Sequence, residues 1–227
     1  MSRLLYLIPF FCLFPSSAPA EAEPSAKGLS IRLFAVALAK DQGPVCFMIG
    51  QTRTPAFEIP TTTLSEPIAV SAREFTLISA ATPPDAPAVA LATLRLPDQG
   101  SDFRIILVPT PDQSYKPVII RGDDSKFAHG DFFFINLSTH EILGALGSAR
   151  LTLKPGGQEI LRPSASKSDK FFEVKIARRA EDKILPLTNT CWPIVRDNRS
   201  FVIFYNGNNG RPTYRAVDEF MALAVGG

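Results

Sequence analysis

The chain is short of the residues that most often carry acid–base and metal chemistry: its 227 residues include two histidines, three cysteines and one tryptophan. Neither His129 nor His140 has a second histidine, or a cysteine, at a metal-ligand spacing such as HxxxH or CxxC. A mixed site with the neighbouring Asp131 and Glu141 is the only metal arrangement left, and the plainer reading is one loop histidine and one at a strand start. No P-loop, GxGxxG or GxSxG segment occurs, which removes the common nucleotide sites and the nucleophile elbow. A formal charge of +2 argues against an electrostatic nucleic-acid binder. Charged residues at 20% against hydrophobic ones at 45% exclude disorder driven by charge. The apolar run Leu4–Phe14 falls well short of the about 20 residues that span a bilayer as a helix.

Seventeen phenylalanines and twenty prolines are present instead, a mix that favours strands and turns over helices. Residues 1–20 combine a cation at Arg3, the apolar run and a small-residue Ala18-Pro19-Ala20 stop, the three parts of a cleavable export leader. Cys12 follows Phe10 and Phe11 rather than small residues, which argues against a lipid anchor there. Cleavage after Ala20 leaves 23 basic against 22 acidic residues and two cysteines, Cys46 and Cys191, in a compartment where disulfides persist. A Cys46–Cys191 bond would tie together the two ends of the chain and, in the chain-entropy model, stabilise it by roughly 3–5 kcal/mol. Two buried thiols are the alternative, since both cysteines sit among apolar neighbours.

After a small polar linker at 21–27, expected to be disordered, short apolar runs alternate with Pro, Gly, Asp and Asn at the spacing of sandwich strands. Fifteen runs read as strands, from Leu29–Ala37 to Thr213–Arg215. The clearest two-residue period lies at 171–177, where Phe172, Val174 and Ile176 alternate with mostly polar neighbours. At the C-terminus, Val217, Phe220, Met221 and Ala224 follow the spacing of one short helix, the alternative being a last strand followed by a frayed tail.

A weak repeat runs through the chain. Phe34, Val36 and Leu38 match Phe133, Ile135 and Leu137 at an offset of 99, Phe103 and Ile105 match Phe201 and Ile203 at 98, and Pro117 matches Pro212 at 95. The expected fold class is therefore all-β: an antiparallel β-sandwich protein of two tandem immunoglobulin-like units, 28–122 and 123–227, divided at the polar stretch Gly122–Lys126. Twelve prolines between 21 and 122, against five beyond, make the first unit the loopier one. Length and tandem layout are loosely similar to those of periplasmic two-sandwich pilus chaperones, an analogy of fold alone.

Several segments match motifs that carry chemistry. Ser164-Ala165-Ser166-Lys167 has the SxxK spacing of penicillin-recognising enzymes, without the companion SDN and KTG motifs and on a stretch that reads as a loop. Cys191 could pair with either histidine as a nucleophile. Trp192, Tyr205 and Tyr214 could form a sugar-stacking platform. Asn136-Leu137-Ser138 and Asn198-Arg199-Ser200 match the glycosylation acceptor. Gly156-Gly157 reads as a hairpin turn between 151–153 and 159–161, and 205–212 as a hairpin loop. No catalytic, metal or cofactor-binding residue is nominated, and no cofactor is expected. The sequence points to an exported, periplasmic or extracellular, non-enzymatic protein that binds or organises a protein or polysaccharide of the envelope. The alternatives are a secreted hydrolase using carboxylates or Cys191, and a carbohydrate-binding module.

Overall fold

The computed structural model describes residues 28–221 except 84, 167, 168, 182 and 208, so the leader and linker lie outside the described residues. Strands β1 (Leu29–Ala35), β2 (Val45–Ile49), β3 (Thr52–Arg53), β4 (Ile68–Val70), β5 (Glu74–Ser79), β6 (Ala90–Arg95), β7 (Asp102–Pro109) and β8 (Tyr115–Arg121) make up the first half. The second holds β9 (Phe132–Asn136), β10 (Ile142–Leu146), β11 (Ala149–Leu153), β12 (Gln158–Leu161), β13 (Phe171–Ala180), β14 (Lys183–Pro193), β15 (Asn198–Asn206) and β16 (Pro212–Phe220). The protein is all-β. Val217 and Phe220, expected in a helix, belong to β16, which pairs with β15 over nine residues, and a full antiparallel ladder overrides a helical spacing only one turn long.

Four four-stranded sheets result, in the orders β4-β1-β7-β8, β3-β2-β5-β6, β12-β9-β15-β16 and β11-β10-β13-β14. Adding eight to every strand number of the first pair of sheets gives the second pair. In each half one central pair is parallel, β1 with β7 and β9 with β15, and the remaining ladders are antiparallel. The Gly156-Gly157 turn does not close a hairpin, because β11 pairs with β10 and β12 with β9, so the chain arches there from one sheet to the other.

Three apolar cores lie between these sheets. Ile31, Leu33, Phe47, Leu77, Phe103 and Ile105 fill the first sandwich, and Phe134, Leu151, Val174, Ile176, Val202 and Phe204 the second. A third core joins the halves, with Phe34, Val36 and Ile106 from the β1–β7 sheet meeting Phe133, Ile135, Phe201 and Ile203 from the β9–β15 sheet. The layers therefore run β2–β5 sheet, β1–β7 sheet, β9–β15 sheet, β10–β13 sheet. The central strands are buried on both faces, which is why IILV, FFFI and FVIF read as unbroken apolar runs. β13 lies in an outer sheet with one face in water and shows the clean alternation.

Charge is also buried between the halves. Glu219 of β16, 3% exposed, accepts hydrogen bonds on Oε1 from Arg104 Nε (2.8 Å) and Nη2 (2.5 Å), and on Oε2 from Arg199 Nε (2.8 Å). Arg199 Nη1 donates to the carbonyls of Gly122 and Phe127, and its guanidinium lies 4.7 Å from the Phe127 ring centre. Arg104 Nη1 bonds Asp102 at 2.6 Å. The Val36 carbonyl accepts from the Tyr205 hydroxyl and the Arg215 guanidinium, which ties the halves at a second place.

Asn136 is no glycan acceptor in the folded chain. It is fully buried, its amide donates to the carbonyls of His140 and Leu153, and its oxygen accepts from the Ser138 backbone and hydroxyl. Asn136→Ala strands these groups and is expected to lower stability by about 2–3 kcal/mol. A shift of the urea midpoint under a quarter of that size would show the turn to be held otherwise.

Candidate functional site

The ladder registers allow the two halves to be compared row by row. Phe34 and Phe133 both face the central core, so β1 and β9 correspond at the offset of 99 seen in the sequence. Across β1, β7 and β8 the neighbouring row is Leu33–Ile105–Ile119, and across β9, β15 and β16 it is Phe132–Ser200–Asp218. One row further out, Asn198 stands where the first half has Phe103. The sequence pairing of Phe103 with Phe201 is thereby corrected. Those two side chains face different cores, and the true offset on this strand is 95, which matches Ile106 with Phe201 and Arg104 with Arg199. The two arginines that share Glu219 are thus equivalent residues of the two halves.

At the corresponding places the first sandwich is filled by Phe103, Ile105 and Ile119, and the second carries Asn198, Ser200 and Asp218 and is open. A cavity of about 570 Å³ lies there, within the ~300–1,000 Å³ of small-molecule sites. Its walls differ in chemistry. One is apolar, from Phe172, Trp192 and Ile194, and Phe132 of the facing sheet packs against it, nearly parallel to Trp192 (ring centres 5.9 Å apart, 20°) and edge-on to Phe172. The other presents Asn198, Ser200 and Asp218, with the Ser200 hydroxyl donating to Asp218 Oδ1 at 2.6 Å. The 162–165 segment closes the end. Arg162 Nε (2.5 Å) and Nη2 (2.7 Å) bond the buried Asp131, which also accepts from the Ala128 amide. Arg196 Nη2 donates to the Ser166 carbonyl.

The residues singled out from the sequence scatter around this cavity. His129 is exposed at its rim, whereas His140 sits beyond the far end of β9, with Thr139 Oγ1 3.2 Å from its Nδ1. No group of three or more metal-binding side chains occurs among the described residues. Ser164 lines the cavity in a stretch, 162–166, without regular secondary structure, and the Lys167 of the SxxK spacing lies outside the described residues. Asn198 lines the cavity and Asn136 is buried, each for reasons of packing that the acceptor pattern does not register. The three-residue aromatic platform is not assembled. Trp192 and Tyr214 touch at 6.0 Å, while Tyr205 turns to the central core, and Phe132 takes its place beside Trp192. Phe132 reads in the sequence as one of three strand phenylalanines, and nothing local distinguishes it.

Both cysteines are free. Cys46 is buried in the outer sheet of the first half and Cys191 exposed in the outer sheet of the second. Three sheet spacings of ~10 Å separate those layers, far beyond the about 7 Å that a disulfide can bridge between Cα atoms. Cys191 also alternates with the inward-facing Trp192 and so points away from the cavity rim and His129. A thiol reagent is expected to titrate one cysteine in the folded mature protein and two after unfolding. No titratable thiol in the folded state would contradict this placement.

The chain matches no family model and no curated protein.

Proposed function

We propose that the protein is exported and non-enzymatic, built of two tandem immunoglobulin-like units, and that it binds a component of the cell envelope or extracellular space in the open mouth of its second sandwich. The leader pattern at residues 1–20 supports export. One observation carries the binding reading: at positions where the first half packs Phe103, Ile105 and Ile119, the second places Asn198, Ser200 and Asp218 around a cavity. Breaking a core pattern costs stability and so marks a site with another use. Recognition without turnover fits the lining, where Asp218 is the single carboxylate and its neighbour is the Ser200 hydroxyl, whereas hydrolysis by carboxylates needs a facing pair.

Trp192 is the sole tryptophan and lines the cavity, so its emission reports occupancy directly. Mature protein titrated with solubilised envelope fractions is expected to show a saturable change with at least one fraction and to release no cleavage product. A flat titration throughout, or product release, counts against the reading. Export is checked separately by the N-terminus of the envelope-localised protein, expected at Glu21.

A second reading has its own support in β14, eleven residues long, largely exposed, and at the end of its sheet. Such an edge suits addition of a partner's strand. If that is the binding surface, Thr190→Pro abolishes partner capture and leaves Trp192 emission unresponsive to ligand.

A further inference from the structure

We infer that the cavity seats a neutral pyranose ring of a polysaccharide chain, an assignment that rests on the binding reading above and names its ligand. The two walls have the two-sided character of a sugar. Phe172 and Trp192 of the outer sheet offer ring edges and faces to the C–H face of a pyranose, and across the cavity Asn198, Ser200 and Asp218, in the same sheet as Phe132, present an amide, a hydroxyl and a carboxylate for its hydroxyl groups. A fatty acyl chain would leave those three polar groups unpaired in the cavity.

Charge selects the neutral sugar over an acidic one. Arg162 is the one cation with a carboxylate bonded to it at this end, and Asp131 occupies two of its nitrogens. Arg196 is the other guanidinium of the lining; it donates to the Ser166 carbonyl and interacts with the Asp169 carboxylate. Among the described residues of the lining, both guanidiniums already interact with a carboxylate, which disfavours a uronate or a phosphate. An apolar side chain also continues the seat outward. Phe220 lies two residues beyond Asp218 on the same face of β16, is 68% exposed, and is placed to take the next ring of the chain. The ligand is therefore an oligosaccharide rather than a monosaccharide.

The test is titration of the mature protein to millimolar concentration with four neutral hexasaccharides (cello-, xylo-, malto- and chito-), a uronate hexasaccharide, a short-chain fatty acid and a hydrophobic peptide, followed by Trp192 emission. At least one neutral hexasaccharide is expected to bind saturably and more tightly than its own monosaccharide. Asp218→Asn is expected to weaken it about tenfold, as loss of one charged hydrogen bond does. Phe220→Ala should weaken the hexasaccharide and leave the monosaccharide unchanged. Binding of the uronate, fatty acid or peptide alone, lost when Ser200 and Asp218 are both replaced by isoleucine, would overturn the neutral-sugar assignment and leave the cavity as the site. Neutral sugars that bind the wild type and that double variant equally would overturn both. A panel with no response at all also overturns the assignment.

Discussion

Glu219→Ala is expected to destabilise the protein by about 3–5 kcal/mol, because it leaves Arg199 buried between the halves with no carboxylate and Arg104 with Asp102 alone. The single glutamate serves two arginines in equivalent positions, so its loss strands Arg199 and removes two of the bonds that hold Arg104. Replacing all three together with apolar residues of similar volume should recover most of that loss, since the cost lies in the uncompensated charges and not in a missing bond. Urea unfolding followed by Trp192 emission measures both variants. A loss below about 1 kcal/mol in Glu219→Ala would show that water reaches the cluster and solvates the arginines.

The same cluster fixes the direction of the acid response. Burial by itself would raise the Glu219 carboxyl, but the hydrogen bonds and charges of Arg104 and then Arg199 outweigh it and hold the group below its ordinary value of 4.5. A carboxylate with a depressed folded pKa contributes stability that is complete above its unfolded value and is lost as pH falls through the folded one. Stability should therefore decline below about pH 4.5, and Glu219→Gln should flatten that decline.

Replacing Ser200 and Asp218 together by isoleucine should abolish ligand binding and raise stability. The exchange copies the Ile105–Ile119 pair of the first half into the matching row of the second. The cavity of about 570 Å³ leaves room for both side chains, so overpacking is avoided. Ser200 and Asp218 are hydrogen-bonded to one another, and removing both leaves no orphaned partner. New apolar burial is expected to add ~1–3 kcal/mol, visible as a higher urea midpoint. A destabilised double variant would mean that the polar pair holds the second sandwich together, and its value as a site marker would disappear.

Much of the architecture was legible from residue pattern alone. All fifteen runs read as strands contain strand, and only β3, two residues long, lacked a run of its own. Sheet membership was less accessible. Phe171–Ala177 showed its inward face because one side meets water, but Phe103–Val108 and Phe201–Tyr205 are buried on both sides and carry no alternation to reveal which core each residue serves. That missing parity is why an offset of 98 fits this strand as well as the true 95, a slip of three residues that, like any odd slip, exchanges its faces. The helical spacing that begins at Val217 gives way to strand through Phe220 for a related reason, since Val217 and Glu219 face the central core and Asp218 and Phe220 the other side, an alternation that a single helical turn can imitate; Ala224 lies outside the described residues.

The site was hidden for another reason. Asn198, Ser200 and Asp218 are unremarkable polar residues at strand ends, and they gain meaning only when the registers show which apolar residues hold those places in the other half. The Arg104–Glu219–Arg199 cluster joins residues 115 and 20 positions apart, a contact that no local pattern signals. Trp192 was recognisable as an aromatic candidate, but its partner Phe132 was not, because the pairing depends on the meeting of two sheets.

The most direct measurement is an amide NMR titration of the mature protein with the hexasaccharide that binds most tightly. Perturbed resonances should cluster at the cavity, at residues 129–132, 162–165, 192–200 and 214–220. They should be absent from the matching row of the first half around Ile105 and Ile119. Perturbations running along Lys183–Cys191 instead, or spread evenly over both halves, would contradict a binding site in the mouth of the second sandwich.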